Sequence, residues 1–332
     1  VIGKREGTTV VLGKDGTALH EQSGFGRVTR DKLTLAPEEA LYLVHRNKIE
    51  VKGEDFTSLL AVFSVEHGFM RRFLVYRDMR ERGYVIQPGP HDFRVFRRGE
   101  KPGKGRSQYM IRVLSERDLV NFTEIAADVG TTGNMRKQYV IAVVDDEDEI
   151  TYYEVKTDGL KSAGPAISCP PIEAGVFGSA VLTLQREAFP DDAWIGTPLD
   201  KTRLLLSPME ALYLQERGLL VFQPDAAAGE EFFRRACAED PELPEKGATY
   251  SHMRDLGYIP RTAYKFGHHF RVYSGGKKHS ELLVHAIASG IALPMSVISR
   301  SVRLAHSVRK KMLFACVDQK NIEFIEFARI KL

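Results

Sequence analysis

The chain of 332 residues has three cysteines, one tryptophan and no long apolar run. Cys169, Cys237 and Cys316 are far apart, odd in number and form no Cys-x-x-Cys. That spacing speaks against a disulfide framework and against a zinc site, and it fits a reducing compartment. No stretch approaches the roughly 18 apolar residues that span a bilayer. The opening VIGKREGTTVVLG lacks the apolar centre of a signal peptide. The expected location is therefore the cytoplasm. There is no G-x-x-x-x-G-K-[ST] and no G-x-G-x-x-G to cradle a nucleotide, and no carboxylate or Cys/His cluster spaced as metal ligands. Charge of neither sign dominates: a net charge of +3 permits a polyanionic partner without requiring one.

What the sequence does have is itself, twice. LTLAPEEALYL (33–43) is matched by LLLSPMEALYL (204–214), each with a proline just inside a helix start. In the same order, YRDMRERGYVI (76–86) matches YSHMRDLGYIP (250–260), and HDFRVF (91–96) matches HHFRVY (268–273). NMRKQYVIAVVD (134–145) then matches HSVRKKMLFACVD (306–318). Collinear matches of this kind indicate an internal duplication. Between the copies, KTDGLKSAGPAISCPPIEAGVFGS (156–179) is rich in Gly, Pro and Ser and reads as a linker. The expected domains are a front subdomain at 1–70, a back subdomain at 71–158, a linker at 159–178, a second front subdomain at 179–245 and a second back subdomain at 246–332. The back portion of each unit reads strand, strand, helix, strand, strand. The fold class is α/β: two tandem units, each a small α/β front subdomain plus a subdomain with a mixed sheet and flanking helices. The strands ITYYEV and IEFIEF are apolar enough to pair across the units.

The second copy holds the polar rings. In YKFGHHFRVYSGGKKHSELLVHA (264–286) two strands flank an SGG turn. Tyr273 ends the first strand, and His279 is expected to begin the second after a five-residue connection, which makes them neighbours at one end of a sheet. Either they simply flank a turn, as amphipathic rings often do, or they are held together for chemistry. The duplicate bears on the choice. At the matched positions the first copy has Phe96 for Tyr273 and Arg106 for His279, and keeps Lys137 for Lys310. The scaffold thus does without the hydroxyl and the imidazole, which points to a task in one copy only. The helix over 294–310 is expected to bury Val297, Ile298, Val302, Leu304, Ala305 and Val308 and to place Arg300, Arg303, Ser307 and Lys310 on the other side. No role is assigned to His268, His269, His285 or His306.

FRVY, then HSELLV, then RLAHSVRK before an apolar strand ending in VD resembles the tRNA-splicing endonucleases. The likeness is to the archaeal form with two tandem units per chain and two chains per dimer, and through the duplication it covers nearly the whole chain. The resemblance implies a catalytic triad of Tyr273, His279 and Lys310, with a Tyr-to-His connection shorter than is usual for the family. It implies metal-free cleavage of RNA, in which the 2′-oxygen attacks the adjacent phosphorus to leave a 2′,3′-cyclic phosphate and a 5′-hydroxyl. An imidazole, with an ordinary pKa near 6.5, suits the acid, and an ammonium suits the charge on the phosphorane. A phenol, with an ordinary pKa of about 10, is an awkward base; Tyr273 either is activated or only orients the 2′-OH. The resemblance also implies that Arg303 and Arg329 clasp an unstacked bulge base, and that the acidic run Asp145, Asp146, Glu147, Asp148 and Glu149 docks on a partner chain. The expected partners are precursor tRNA with a bulge–helix–bulge and a second copy of the chain, with no cofactor, no metal and no membrane. The alternative is a non-catalytic RNA-binding structural subunit; a metal-dependent DNA nuclease would need acidic ligands that the site does not offer.

Overall fold

The computed structural model describes residues 1–157, 159–319 and 321–332. Each unit opens with a five-stranded sheet. In the first its order is Arg27–Thr29, Lys32–Leu35, Thr9–Leu12, Ile2–Glu6, Glu50–Val51; in the second it is Thr197–Pro198, Leu204–Leu206, Ala180–Thr183, Ile172–Phe177, Leu220–Gln223. The two sheets have the same order and the same mixture of antiparallel pairs with one parallel edge. The matched PEEALYL and PMEALYL segments form α1 (Pro37–His45) and α4 (Pro208–Glu216). Proline at the first turn has the helical φ already set and no N–H to waste. The third residue of each helix is a buried glutamate with two tasks. Glu39 accepts from the N–H groups of Ala36 and Gly26, at 2.9 and 2.8 Å; Glu210 accepts from those of Ser207 and Gly196, both at 2.9 Å. One oxygen caps the helix and the other ties it to a glycine turn, so neither carboxylate is buried without partners.

Behind the front sheets lie α2 (Phe69–Glu81), α3 (Phe122–Asn134), α5 (Leu243–Asp255) and α6 (Met295–Ser307). The first unit adds strands β1 (Ile86–Pro88), β2 (Phe93–Phe96), β3 (Ser107–Ser115), β4 (Gln138–Val144) and β5 (Ile150–Thr157). The second adds β6 (Ile259–Ala263), β7 (His268–Tyr273), β8 (Leu282–Ala288), β9 (Lys311–Asp318) and β10 (Asn321–Ile330). All ten join one sheet, in the order β6-β7-β8-β9-β10-β5-β4-β3-β2-β1. β3·β4 and β8·β9 are parallel, with α3 and α6 as their crossovers; the other pairs are antiparallel. The joint is β5 against β10, with Tyr152 opposite Ile330 and Val155 opposite Phe327. The expected pairing of ITYYEV with IEFIEF is thus what closes two sheets into one. Val140, Ile141 and Ala142 of β4 are fully buried, as are Leu313 and Phe314 of β9 to within 2%, which suits central strands covered on both faces.

α3 and α6 share one face of this sheet and one apolar cluster, around Phe122, Ile298, Phe314 and Phe327. On the other face, α2 and α5 each pack with the front subdomain of their own unit. A short antiparallel pairing of 119–121 with 292–294 also crosses between the units.

Three local expectations need correction. The linker is shorter than 159–178: Ile172–Phe177 is a strand, in which Ile172 and Ala174 are buried and Glu173 is exposed. Alternation won there over the Gly and Pro content of its surroundings. The helix before Tyr258 starts at Leu243, so both the cut at 245/246 and the cut at 70/71 fall within a first helical turn. The returning hairpin strand starts at Leu282, so His279 lies in the connecting loop.

Candidate active site

The hairpin of β7 and β8 brings the loop 274–281 to the N-terminal end of β9. Its pairing ends at Val272 opposite Leu282, followed by Glu281 N–H donating to the Val272 carbonyl at 2.9 Å. The loop is tied at its base: Ser274 Oγ donates to Glu281 at 2.6 Å, and Lys277 pairs with the same carboxylate. The hydrogen bonds to Lys277 and Ser274 hold Glu281 below the usual carboxylate range. His279 is exposed on this loop.

Lys310 was expected on the polar face of α6, in line with Arg303. It lies beyond the helix. α6 ends at Ser307, Val308 N–H bonds to the Leu304 carbonyl, and Arg309 takes the left-handed conformation with φ 55°. Arg309 N–H then reaches the His306 carbonyl at 3.1 Å and Lys310 N–H the Ala305 carbonyl at 2.8 Å. This is the Schellman cap, which satisfies orphan carbonyls of the last turn and turns the chain sharply. The turn delivers Lys310 to the hairpin loop, where its Nζ donates to the Ser280 carbonyl at 2.8 Å. His279 and Lys310 thereby line one open cleft, together with His306, Arg309 and Lys311.

Tyr273 is 8% exposed and is not among the residues lining that cleft. It sits at the root of the same loop, paired with Ile259 across β6. Its ring rests against that of Trp194, with centroids 5.2 Å apart and planes at 59°. The Arg271 guanidinium carbon is 5.9 Å from its centre. Trp194 was missed in the sequence, and His306, given no role there, lines the cleft. The one signal for Trp194 was that it is the sole tryptophan; its proximity to Tyr273 spans the two subdomains and leaves no mark on spacing.

Arg303 is exposed and lines a different groove, with Arg300, Tyr153, Asp145 and Glu149. Arg329 is not on a loose tail but in β10, directly opposite Tyr153. Cross-strand partners leave the same face of a sheet, so Arg303 and Arg329 flank one tyrosine. The acidic run forms a tight turn between β4 and β5: the Asp145 carboxylate accepts from the N–H groups of Glu147 and Glu149, both at 2.9 Å, and Asp146 pairs with Arg117.

The first unit has a cleft at the matched place. Phe96, Arg106 and Lys137 line it together, with Arg94, Arg97 and Arg136. The cap is the same: Arg136 is left-handed at φ 56°, and Lys137 N–H reaches the Thr132 carbonyl at 3.1 Å. The cleft holds cations but no imidazole and no phenol.

Glu242, His269 and His285 bring ligand-type atoms within 4.8 Å of one another. The donor chemistry is wrong for a metal. Ala286 N–H donates to His269 Nδ1 at 3.0 Å, so the ring proton sits on Nε2, which faces Glu242 at 3.4 Å. A metal there would need an imidazolate. Burial instead pushes His268, His269 and His285 each down to about 4.

A family model described as the tRNA intron endonuclease catalytic C-terminal domain matches residues 69–152 and again 243–324. The N-terminal domain model of the same family matches 1–62 and 178–232. The chain belongs to the tRNA intron endonuclease family. Among similar proteins, one from Methanococcoides burtonii named tRNA-splicing endonuclease is 37% identical over 326 residues, covering 93% of each chain. One of the same name from Methanosarcina acetivorans is 36% identical, covering 98% of this chain and 99% of its own. Another, from Haloarcula marismortui, is 32% identical over 98% of both. The family's catalytic model thus matches both copies of this tRNA intron endonuclease chain, although only the second carries a hydroxyl, an imidazole and an ammonium around one loop. No helix among the described residues is long and apolar enough to cross a membrane.

Proposed function

We propose that this chain excises introns from precursor tRNA as an endoribonuclease, cutting at bulge–helix–bulge sites with its second unit alone. The observation that carries the reading is the Lys310–Ser280 hydrogen bond, which fixes an ammonium beside the loop that presents His279. Family membership supplies the substrate class, and the contrast between the two clefts supplies the assignment of roles.

The ribose 2′-oxygen attacks the adjacent phosphorus as its proton passes to Tyr273 in its phenolate form. The Lys310 ammonium faces the charge that builds on the non-bridging oxygens. The P–O5′ bond breaks, and the imidazolium of His279 gives its proton to the departing 5′-oxygen. The products are a 2′,3′-cyclic phosphate and a 5′-hydroxyl, and no water or metal enters the balance. Arg303 and Arg329 clasp an unstacked base of the bulge, as guanidinium planes do. The turn at 145–149 docks on a second copy of the chain in a homodimer working in the cytoplasm. Asp145 holds the turn and Asp146 pairs with Arg117; Glu147, Asp148 and Glu149 have no ion-pair partner among the described residues, which leaves them for such a contact. The domains are those expected from the repeat, with the boundaries corrected above.

The test is cleavage of a bulge–helix–bulge RNA in EDTA with analysis of the ends. Cyclic phosphate ends are expected. Loss of cleavage restored by a divalent ion overturns the metal-free chemistry. One observation favours a non-cleaving structural subunit, namely that Tyr273 lies outside the cleft lining; RNA binding without cleavage in the same experiment would establish it.

A further inference from the structure

The turn that carries Trp194 has a counterpart in the first unit, and the two can be matched atom for atom. Gly196 N–H donates to Glu210 as Gly26 N–H donates to Glu39, at 2.9 and 2.8 Å. Arg254 donates to the Ala193 carbonyl as Arg80 donates to the Ser23 carbonyl, at 2.9 and 2.8 Å. Each arginine also holds a tyrosine hydroxyl through Nε, that of Tyr250 at 3.0 Å and that of Tyr76 at 2.9 Å. In this frame Trp194 stands where the first unit has Gly24.

Both positions are left-handed, with φ 51° at Trp194 and 67° at Gly24. Glycine adopts that conformation freely; an L side chain does so at a cost, and a bulky one rarely. In the first unit there is no room for anything else: a Cβ on Gly24 would come within 2.7 Å of Val85 and 2.9 Å of Pro102. Pro102 belongs to the loop 97–106, which closes over that turn. The shorter loop 274–281 of the second unit leaves the place open, and Trp194 stays 42% exposed there, beside Tyr273. Its carbonyl is held by Arg254 and by Arg261, both at 3.1 Å, so the strained residue is fixed in place. Arg186 and Arg261 line the groove in front of it.

A large aromatic ring is thus kept in a conformation that favours glycine, only in the unit with the rings, half in solvent and against Tyr273. We propose that Trp194 is a nucleobase-stacking residue of the RNA site, receiving an unpaired base next to the scissile phosphate while Arg186 and Arg261 face the backbone. Unpaired bases are recognised by stacking on such rings, and stacking tolerates any base. The proposal rests on the reading of RNA as substrate.

Trp194 is the sole tryptophan of the chain, so its fluorescence reports the site without labelling. Precursor tRNA is titrated into the native protein in EDTA, with cleavage measured in parallel. Expected are quenching of the emission and, for Trp194→Gly, weakening of RNA binding by about 5- to 150-fold, the usual worth of one stacked base. Trp194→Gly installs the residue the first unit has, in a backbone conformation glycine prefers, so its thermal midpoint should not fall. Trp194→Phe keeps a ring and should bind within several-fold of native. Quenching without loss of affinity, or loss of affinity without quenching, overturns the proposal. So does a fall in turnover with a displaced pH profile at unchanged affinity, which would make Trp194 only a support for Tyr273. A native chain that neither binds nor cuts the RNA sinks the functional reading itself; one that binds and cuts without a change in emission sinks the stacking alone.

Discussion

The two clefts of this molecule are built on the same helix cap and diverge in what meets it. In the first unit the cap presents Lys137 to a loop carrying Arg106, with Phe96 buried behind and Pro102 closed over Gly24. In the second it presents Lys310 to a loop carrying His279, with Tyr273 at the root and Trp194 uncovered. The strands β4 and β9 that start at these caps are separated by three antiparallel steps, so the clefts lie at opposite ends of the common sheet. Backbone geometry alone therefore does not distinguish the two clefts. What differs is the presence of groups able to pass a proton, together with the access that a shorter loop allows.

Removing a ring from one cleft and its counterpart from the other tests this contrast most severely. His279→Ala should slow single-turnover cleavage by roughly 10²–10⁴-fold, the range for a general acid, while Arg106→Ala should stay within about twofold. Equal effects would erase the assignment of cutting to the second unit. Next in size is the acidic turn, which only the first unit has. Asp146→Asn with Glu147→Gln and Asp148→Asn should shift a sizing-column profile from dimer toward monomer by about tenfold or more in dissociation constant, an increment of roughly 1.4 kcal/mol; an unchanged profile would leave it a solvated turn.

Acid should separate the units next. His268 and His269 occupy the places of His91 and Asp92. With His285 they stay neutral in the folded protein down to about pH 4 because burial disfavours the charged ring. Once unfolded they take up protons near 6.5. The unfolded chain therefore binds more protons between these values, and the stability present above pH 6.5 is lost as pH falls toward 4. Thermal melts over that range should drop by several degrees, and His285→Phe should lessen the slope. An unaltered slope would remove the cluster as its cause. The smallest effect concerns what the clefts share. Arg136→Gly and Arg309→Gly each relieve a left-handed side chain worth about 1 kcal/mol, which corresponds to a rise of roughly 2–4 °C for a unit of this size. A rise for one and a fall for the other would show that the caps are not equivalent.

Much of this was legible in the sequence because duplication writes each feature twice. The paired PEEALYL and PMEALYL segments announced α1 and α4, and the apolar ITYYEV and IEFIEF announced the joint of β5 and β10. The hairpin was legible, and Tyr273 lies at the root of the loop that carries His279, although that loop proved longer than SGGKK suggested: Ser274, Lys277 and Glu281 lock to one another and delay strand pairing until Leu282. The cap before Lys310 was hidden because its left-handed residue is Arg309, where glycine or asparagine would have signalled the turn. Read as a longer helix, the segment put Lys310 in line with Arg303; the structure sends them to different grooves. Trp194 was hidden for the same reason, since no pattern announces a tryptophan in a glycine's conformation, and its neighbour Tyr273 is contributed by a different subdomain.

One polypeptide supplies both edges of the joint between β5 and β10, so their encounter is intramolecular. Its effective concentration is set by the connecting segment, in the millimolar range for a short flexible tether. Dilution therefore cannot separate these units as it would separate independent subunits. A break in the backbone anywhere in 159–171 would turn that joint into an ordinary bimolecular equilibrium, and the sheet's continuity would begin to depend on how much protein is present.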